Sequence, residues 1–160
     1  MDKFYDDSIR FAGEKIYFAA TDKGLFYVGK NKENLQSAIH DPEKMRKYKA
    51  ELLAYLNGES IHFTFPIDLS GTTLQLEVFE ALKTIPYGET RTYTEIAEQI
   101  NRPKAVRAVG TAIGKNPLLV IIPCHRVIGK SGKLTGYSGG IPMKQALLTL
   151  EKKNVNQFSF

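Results

Sequence analysis

Residues 121–127 read IIPCHRV and contain Cys124, the single cysteine of the 160-residue chain. The apolar run at residues 118–122 predicts a short strand or extended segment that presents the thiol at its end. A cysteine attacks as the thiolate, and a neighbouring histidine or arginine favours that charge. Because His125 and Arg126 follow at once, the stretch indicates a reactive thiol. From these residues alone, an inert buried cysteine is the alternative, since free cysteines are often buried.

The sequence before this stretch has the pattern of short helices. Thr72 with Gln75, and Thr92 with Glu95, are two capping boxes, and each predicts the start of a helix. Residues 101–103 break the second helix, and the proline of that break is predicted to open a third. Two short helices joined by a tight turn predict a helix-turn-helix, with its second helix as the candidate recognition helix.

The first part of the chain has the pattern of a small sheet with a helix. Apolar residues alternate over residues 9–30 around a central turn and predict a hairpin. A helical pattern opens at residues 41–42 and ends at Asn57-Gly58, where a left-handed cap is expected. Residues 61–65 alternate again and predict one more strand. The sheet is expected to be antiparallel.

Turn residues at 68–71 predict a boundary between two domains and an α+β fold. Residues 1–70 form the N-terminal scaffold domain, and residues 71–160 form a mainly helical domain that contains the cysteine. The first carries 10 Lys+Arg and 11 Asp+Glu, a net −1; the second carries 12 and 6, a net +6. A basic surface attracts nucleic-acid phosphates, although a solubilising surface has the same composition.

The composition also bears on location and cofactors. Residues 1–7 are too charged for a signal peptide, and no apolar run approaches the ~20 residues that span a bilayer. One cysteine excludes an intrachain disulfide, and its thiol must stay reduced to react, so we expect a cytoplasmic protein without a membrane segment. The three histidines lie far apart without ligand spacing, and we expect neither a metal nor another cofactor.

An ordered set of motifs resembles the signature of the O6-alkylguanine-DNA alkyltransferases. Pro-Cys-His-Arg-Val at residues 123–127 follows Lys-Asn-Pro at 115–117 and precedes Gly-Tyr-Ser-Gly-Gly at 136–140 and Lys144. The resemblance covers at least residues 72–151. It implies a ribonuclease H-like N-terminal domain and a winged-helix-like C-terminal domain.

The same resemblance implies a DNA repair function. The family rotates O6-alkylguanine out of duplex DNA and transfers the alkyl group irreversibly to its own cysteine, here Cys124, once per molecule. O4-methylthymine is a second expected substrate. The expected partner is double-stranded DNA, bound in the minor groove independently of sequence by a monomer; cooperative binding along DNA is left open.

The resemblance also implies roles for the catalytic residues. Cys124 is the alkyl acceptor, and His125 is the base that draws the thiol proton through a water. Glu151, on a final helix opened by Pro142, orients that histidine. Asn116 braces the turn between the recognition helix and the cysteine.

A second group of residues is assigned to DNA and the flipped base. Tyr93 is expected to press on the phosphate 3′ to the target, and Arg107 to fill the space that the base leaves. Tyr137 is expected to donate a hydrogen bond to guanine N3, and Ser138 to O6. Arg126 is also predicted to contact substrate or DNA.

Two alternatives use the same residues differently. A non-catalytic lesion-binding protein would keep the DNA-binding apparatus, but proteins of that kind lack the cysteine, and Cys124 argues against it. A thiol hydrolase built on Cys124 and His125 would turn over. That alternative does not explain Arg107 in a basic helix.

Overall fold

The computed structural model describes residues 3–158 and shows an α+β protein with five α-helices and a small mixed sheet. The chain forms two compact units, the first ending at Leu69 and the second beginning at Ser70. The α+β class predicted from the sequence is therefore confirmed.

The first unit is built on a four-stranded sheet. Its strands lie in the order β3-β2-β1-β4 and are β1 (Tyr5–Phe11), β2 (Glu14–Thr21), β3 (Gly24–Gly29) and β4 (Ile39–His40). The predicted hairpin is confirmed as the antiparallel pair β2–β3. The prediction of a purely antiparallel sheet is wrong, because β4 runs parallel to β1. A two-residue strand is too short to show the alternation by which strands are recognised in sequence.

Helix α1 (Arg46–Leu56) packs against β1 in the same unit. It begins four residues later than predicted, because residues 42–45 form turns. The Asp41 side chain accepts a hydrogen bond from the Lys44 amide (3.0 Å) within these turns. The helix ends at Asn57, and Gly58 follows with a φ of 76°, as the expected left-handed cap requires.

The strand predicted at residues 61–65 does not form. The alternation in the sequence is real, since Phe65 is buried while Thr64 is exposed. However, the backbone of this segment is bonded to a side chain of α1 rather than to the sheet. The amide and the hydroxyl of Thr64 donate to the two carboxylate oxygens of Glu51, at 2.6 and 2.7 Å. Pairing with the sheet is limited to one isolated bridge between Leu25 and Ile67.

The second unit contains the other four α-helices and one short parallel strand pair. These elements are α2 (Thr73–Lys83), β5 (Arg91–Thr92), α3 (Tyr93–Gln99), α4 (Val106–Gly114), β6 (Val127–Ile128) and α5 (Ile141–Asn154). A 3₁₀ helix, Val155–Gln157, follows α5. The pairing of β5 with β6 was not predicted, because a strand of two residues shows no alternation in sequence.

Both predicted capping boxes are confirmed. Thr72 accepts from the Gln75 amide and Thr92 from the Glu95 amide, each at 3.1 Å, and the Gln75 and Glu95 side chains reach back to the cap amides. Helix α4 begins at Val106 rather than at the proline of residues 101–103. The chain forms a turn there instead.

The packing of α2, α3 and α4 decides which face of α4 is exposed. Helix α4 contacts both other helices and buries Val109, Ala112 and Ile113 against them. Arg107 and Ala108 lie on its exposed side. Within residues 3–158, no helix is long and apolar enough to cross a membrane.

Candidate active site

The turn before Cys124 is held by a buried amide. Residues 118–122 were predicted to be extended, and that prediction is wrong: they fold back on themselves, with Val120 at a φ of 73° and the Ile122 amide donating to the Leu118 carbonyl (3.0 Å). The Asn116 side chain accepts from the Leu118 amide (2.9 Å) and donates to the Ile122 carbonyl (2.8 Å). These bonds satisfy buried backbone groups that a strand would pair with a neighbour.

Cys124 starts the 3₁₀ helix Cys124–Arg126, and its side chain is buried, with 4% exposed. Burial raises the pKa of the Cys124 thiol to about 11, against a hydrogen bond from Asn116 and the charge of Lys144, which both lower it. The resting side chain is therefore a thiol at neutral pH. It needs a base before it can act as a nucleophile.

His125 directly follows this thiol in the chain and is the candidate base. The imidazole is fully buried, and its Nε2 lies 2.6 Å from Oε2 of Glu151. Burial lowers the pKa of His125, although the hydrogen bond and charge of Glu151 raise it. His125 Nδ1 is buried without a hydrogen-bond partner among the described residues. A nitrogen with a free lone pair at this position can receive a proton.

Glu151 fixes the tautomer of that imidazole. Burial would raise the pKa of Glu151, but hydrogen bonds from His125 and Arg126 and the positive charge of Arg126 bring it down to about 2. An ionised carboxylate only accepts hydrogen bonds, so His125 Nε2 must carry the proton and Nδ1 the lone pair. With Glu151 bound at Nε2, the His125 imidazole can therefore accept a proton at Nδ1.

Arg126 faces the interior and pairs with Glu151, and its contact with substrate or DNA stays a prediction. Its Nε and Nη2 donate to the two oxygens of Glu151 at 2.8 and 2.9 Å, and Nη1 donates to the Ile85 carbonyl at 2.7 Å. The guanidinium also lies 5.6 Å from the centre of the Tyr87 ring. Arg126 and Glu151 are 25 positions apart in the chain, so no local sequence pattern predicts that they pair.

Lys144 is a second buried cation that the sequence analysis left without a role. Its Nζ donates to the Val127 carbonyl (2.6 Å) and the Thr135 carbonyl (2.9 Å), which ties the segment after β6 to α5. Burial lowers the pKa of Lys144, and the charge of Cys124 opposes that shift. The signal available in the sequence was its place in the motif, four residues after Gly-Gly.

The glycine-rich segment 136–140 passes close to these groups. Tyr137 is buried within it, and Ser138 is exposed. A β-carbon at Gly139 would lie 2.6 Å from the Tyr137 ring and 2.8 Å from the Met143 sulfur, so only glycine fits there. The segment thus holds Tyr137 in one position.

The remaining predicted residues lie on or near α4. Arg107 is exposed and borders a hollow of about 620 Å³ that is also lined by Lys104, Ala108 and Thr111. Tyr93, at the start of α3, donates from its hydroxyl to the Thr135 carbonyl (3.3 Å). The structure thus buries Cys124 beside Asn116 and pairs the adjacent His125 with Glu151, whereas Arg107 belongs to the outer face of α4.

Comparisons with known proteins show to which family the chain is similar. Residues 73–153 match the family model described as 6-O-methylguanine DNA methyltransferase, DNA binding domain. The chain is 44% identical over 162 residues to the inducible methylated-DNA–protein-cysteine methyltransferase of Bacillus subtilis (strain 168), covering 93% of the chain and 90% of that protein.

A mycobacterial sequence and a mycobacterial crystal structure give the same result. The chain is 58% identical over 112 residues to the methylated-DNA–protein-cysteine methyltransferase of Mycobacterium tuberculosis (strain ATCC 25618 / H37Rv), covering 70% of the chain and 68% of that protein. It superimposes on the crystal structure of Mycobacterium tuberculosis OGT in complex with DNA with a TM-score of 0.87 and 45% identity. That superposition covers 94% of both chains.

Proposed function

Since the chain belongs to the methylated-DNA–protein-cysteine methyltransferase family, we propose that it repairs O6-alkylguanine in duplex DNA by transferring the alkyl group to Cys124. The observation that carries this proposal is that the buried Cys124 directly precedes a buried His125 that is hydrogen-bonded to Glu151. These residues supply a thiol, a base with a free lone pair, and a carboxylate that fixes that base. We propose O4-methylthymine as a second substrate.

The first step is removal of the thiol proton. Because the pKa of Cys124 is raised to about 11, few molecules hold a thiolate at rest, and the proton must leave as the reaction proceeds. His125 Nδ1 takes it through a water molecule, and Glu151 stabilises the imidazolium that forms. Lys144 adds a positive charge that favours the thiolate.

The second step is displacement at carbon. The Cys124 sulfur forms a bond to the alkyl carbon while the bond from that carbon to guanine O6 breaks, and the electron pair of the broken bond goes to the base. The hydroxyl of Tyr137 donates to guanine N3 and that of Ser138 to O6, so charge is stabilised where it develops. Guanine gains one proton overall, and the sulfur becomes a thioether. No group regenerates the thiol, so each molecule reacts once.

The base must leave the duplex before this chemistry can occur. We propose that α4 enters the minor groove, where its small exposed residues let the backbone approach closely. Arg107 fills the space that the base vacates, and Tyr93 presses on the adjacent phosphate. Contacts of this kind are made to the DNA backbone and the base stack, so binding is independent of sequence. The net charge of +6 on residues 71–160 supports binding to DNA phosphates.

The finer features of the proposal follow the family resemblance. We propose a ribonuclease H-like first unit, a winged-helix-like second unit, and a monomer that works in the cytoplasm, where Cys124 stays reduced. Asn116 has the role of a brace, which its two hydrogen bonds across residues 118–122 support.

The proposal is tested by the mass of the protein after incubation with duplex DNA that carries one O6-methylguanine. We expect one added methyl group on the Cys124 peptide, equimolar with repaired guanine, and no addition with an unmodified duplex. Tight binding to the lesion duplex without a change in mass would instead identify a non-catalytic lesion binder. Release of product with repeated turnover would identify a thiol hydrolase.

Arg107→Ala is expected to slow repair of duplex DNA by about 10- to 100-fold. Extrusion of a base costs a few kcal/mol, and in this variant no arginine fills the gap that the base leaves in the stack. The reaction with free O6-benzylguanine should be unchanged, since no base is extruded. Single-turnover rates with both substrates test this.

The matched control for Arg107 is Lys104→Ala, which removes an exposed charge just before α4. It should weaken binding to all duplexes in a salt-dependent manner without changing the rate of the bound complex. An equal loss of rate on free base and duplex in Arg107→Ala would contradict the assigned role.

A further inference from the structure

The carboxylate of Glu151 is saturated with hydrogen-bond donors. Its Oε1 accepts from Arg126 Nε (2.8 Å) and the Gly88 amide (3.2 Å), and its Oε2 accepts from His125 Nε2 (2.6 Å) and Arg126 Nη2 (2.9 Å). A carboxylate offers about four acceptor sites. A proton could therefore bind to Glu151 only by displacing one of these donors.

Arg126 supplies two of the four donors and is itself held in place. Its third donor group binds the Ile85 carbonyl, and its plane lies near the Tyr87 ring, while Gly88 of the same turn donates to Glu151. The side chain is buried, with 8% exposed. A two-point contact from a planar guanidinium fixes the rotation of the carboxylate as well as its position.

We propose that Arg126 is a positioning residue for proton transfer: it holds Glu151 as a fixed anion, so that the proton taken from Cys124 stays on His125. This role rests on the proposed alkyl transfer and adds a fourth member to its catalytic network. The Arg126 side chain donates to both oxygens of Glu151, so its main effect on the proton is exerted through that carboxylate.

The charges around His125 determine whether the imidazole is neutral and able to accept a proton. Among the described residues, the charged groups that act on His125 are Glu151 and Lys144 from α5 and Arg126 from its own 3₁₀ helix. Burial lowers the pKa of His125 most, Glu151 raises it, and Arg126 and Lys144 lower it further. With Arg126 in place, the anion of Glu151 is balanced, and the imidazole stays neutral at rest and able to accept a proton.

Removing the charge of Arg126 would leave Glu151 uncompensated beside the imidazole. A protonated imidazole would then be favoured at rest, and it could not take the thiol proton. The rate of Cys124 alkylation by free O6-benzylguanine should fall at low pH, where His125 is protonated. In Arg126→Met, the midpoint of this fall (the acid limb of the pH profile) should move up by about one pH unit. In Arg126→Lys, which keeps the charge but loses the planar fork, the limb should move less.

The experiment measures single-turnover alkylation from about pH 5 to 9 by the mass of the Cys124 peptide. The matched control is Arg102→Met, which removes an arginine from an exposed ion pair with Glu77 and should keep the wild-type limb. Folded Arg126→Met and Arg126→Lys proteins that react slowly but keep the wild-type limb would overturn the proposal, since a merely structural role predicts that result.

A measurement on the wild-type protein covers the case in which neither variant folds. Nitrogen NMR of the three histidines should show His125 as neutral imidazole with its proton on Nε2 at neutral pH. An imidazolium, or a proton on Nδ1, would overturn the proposal. Failure of the proposed function is recognised separately, because the wild-type protein would then gain no alkyl group on Cys124 at any pH.

Discussion

Cys124→Ala is expected to abolish alkyl transfer completely while DNA binding stays at the wild-type level. The residue is the single cysteine of the chain, so no other thiol can accept the group. The variant removes one sulfur from a buried site, a loss of about 1 kcal/mol that the fold should tolerate. The groups proposed to contact DNA lie on other residues, Arg107 and Tyr93 among them, and are unchanged.

The measurement pairs two readouts on one duplex with a single O6-methylguanine. Fluorescence anisotropy reports binding, and digestion of the DNA reports repaired guanine. Cys124→Ser is the matched variant, because its hydroxyl is similar in size but is a much weaker nucleophile than a thiolate, and it should also fail to repair. Repair by Cys124→Ala would refute the mechanism, whereas loss of binding would show that the thiol also holds the extruded base.

The features predicted correctly from the sequence are those encoded within a few residues. The capping box of Thr72 and Gln75 needs only two side chains three positions apart, and both hydrogen bonds form. The β2–β3 hairpin likewise follows from alternation around a tight turn. The family could be identified because the motif around Cys124 and the motif at residues 136–140 occur in order.

The features predicted wrongly depend on hydrogen bonds between a polar side chain and the backbone of an apolar segment. Residues 118–122 look like a strand by composition, but the Asn116 amide satisfies their backbone in a turn. Residues 61–65 alternate like a strand, yet Glu51 captures Thr64. In both cases a side chain replaces the neighbouring strand, and apolar periodicity does not record such bonds.

Arg126 shows what the sequence leaves open in the site itself. It was predicted to contact substrate or DNA, and its place next to His125 does not reveal its partner, because successive residues of a 3₁₀ helix point in different directions. Only the three-dimensional path of α5, which brings Glu151 beside it, shows where it binds. The roles of Tyr93, Arg107, Tyr137 and Ser138 come from the resemblance and stay predictions until tested.

Glu151→Gln should slow the alkylation of Cys124 by about 10²- to 10⁴-fold. Each oxygen of Glu151 accepts from two donors. In glutamine, an NH₂ group, itself a donor, replaces one of these oxygens and faces two donors in either orientation of the side chain. If it faces His125, it donates to Nε2 and moves the imidazole proton to Nδ1, which then cannot accept the thiol proton. In either orientation, the imidazolium loses its anion. Single-turnover rates with O6-benzylguanine measure the effect.

The same substitution should destabilise the protein by about 3 to 5 kcal/mol at neutral pH, because Arg126 is left as a buried cation without its anion. The pKa of Glu151 falls from an ordinary value of 4.5 to about 2 on folding. A lowered pKa contributes stability that is fully present above pH 4.5 and is lost as the pH falls towards 2. The glutamine variant lacks this contribution, so the difference in free energy of unfolding should narrow by about 3 kcal/mol across that range.

Urea unfolding at several pH values tests this, with Glu77→Gln as the matched control. Glu77 forms an exposed ion pair with Arg102, so its replacement should change stability by less than about 1 kcal/mol. His125 is present in every protein compared, and its own titration contributes to all the curves. If wild type and Glu151→Gln lost stability in parallel between pH 4.5 and 2, Glu151 would not be the ionised partner of Arg126 and His125, and the orientation of the imidazole would need another cause.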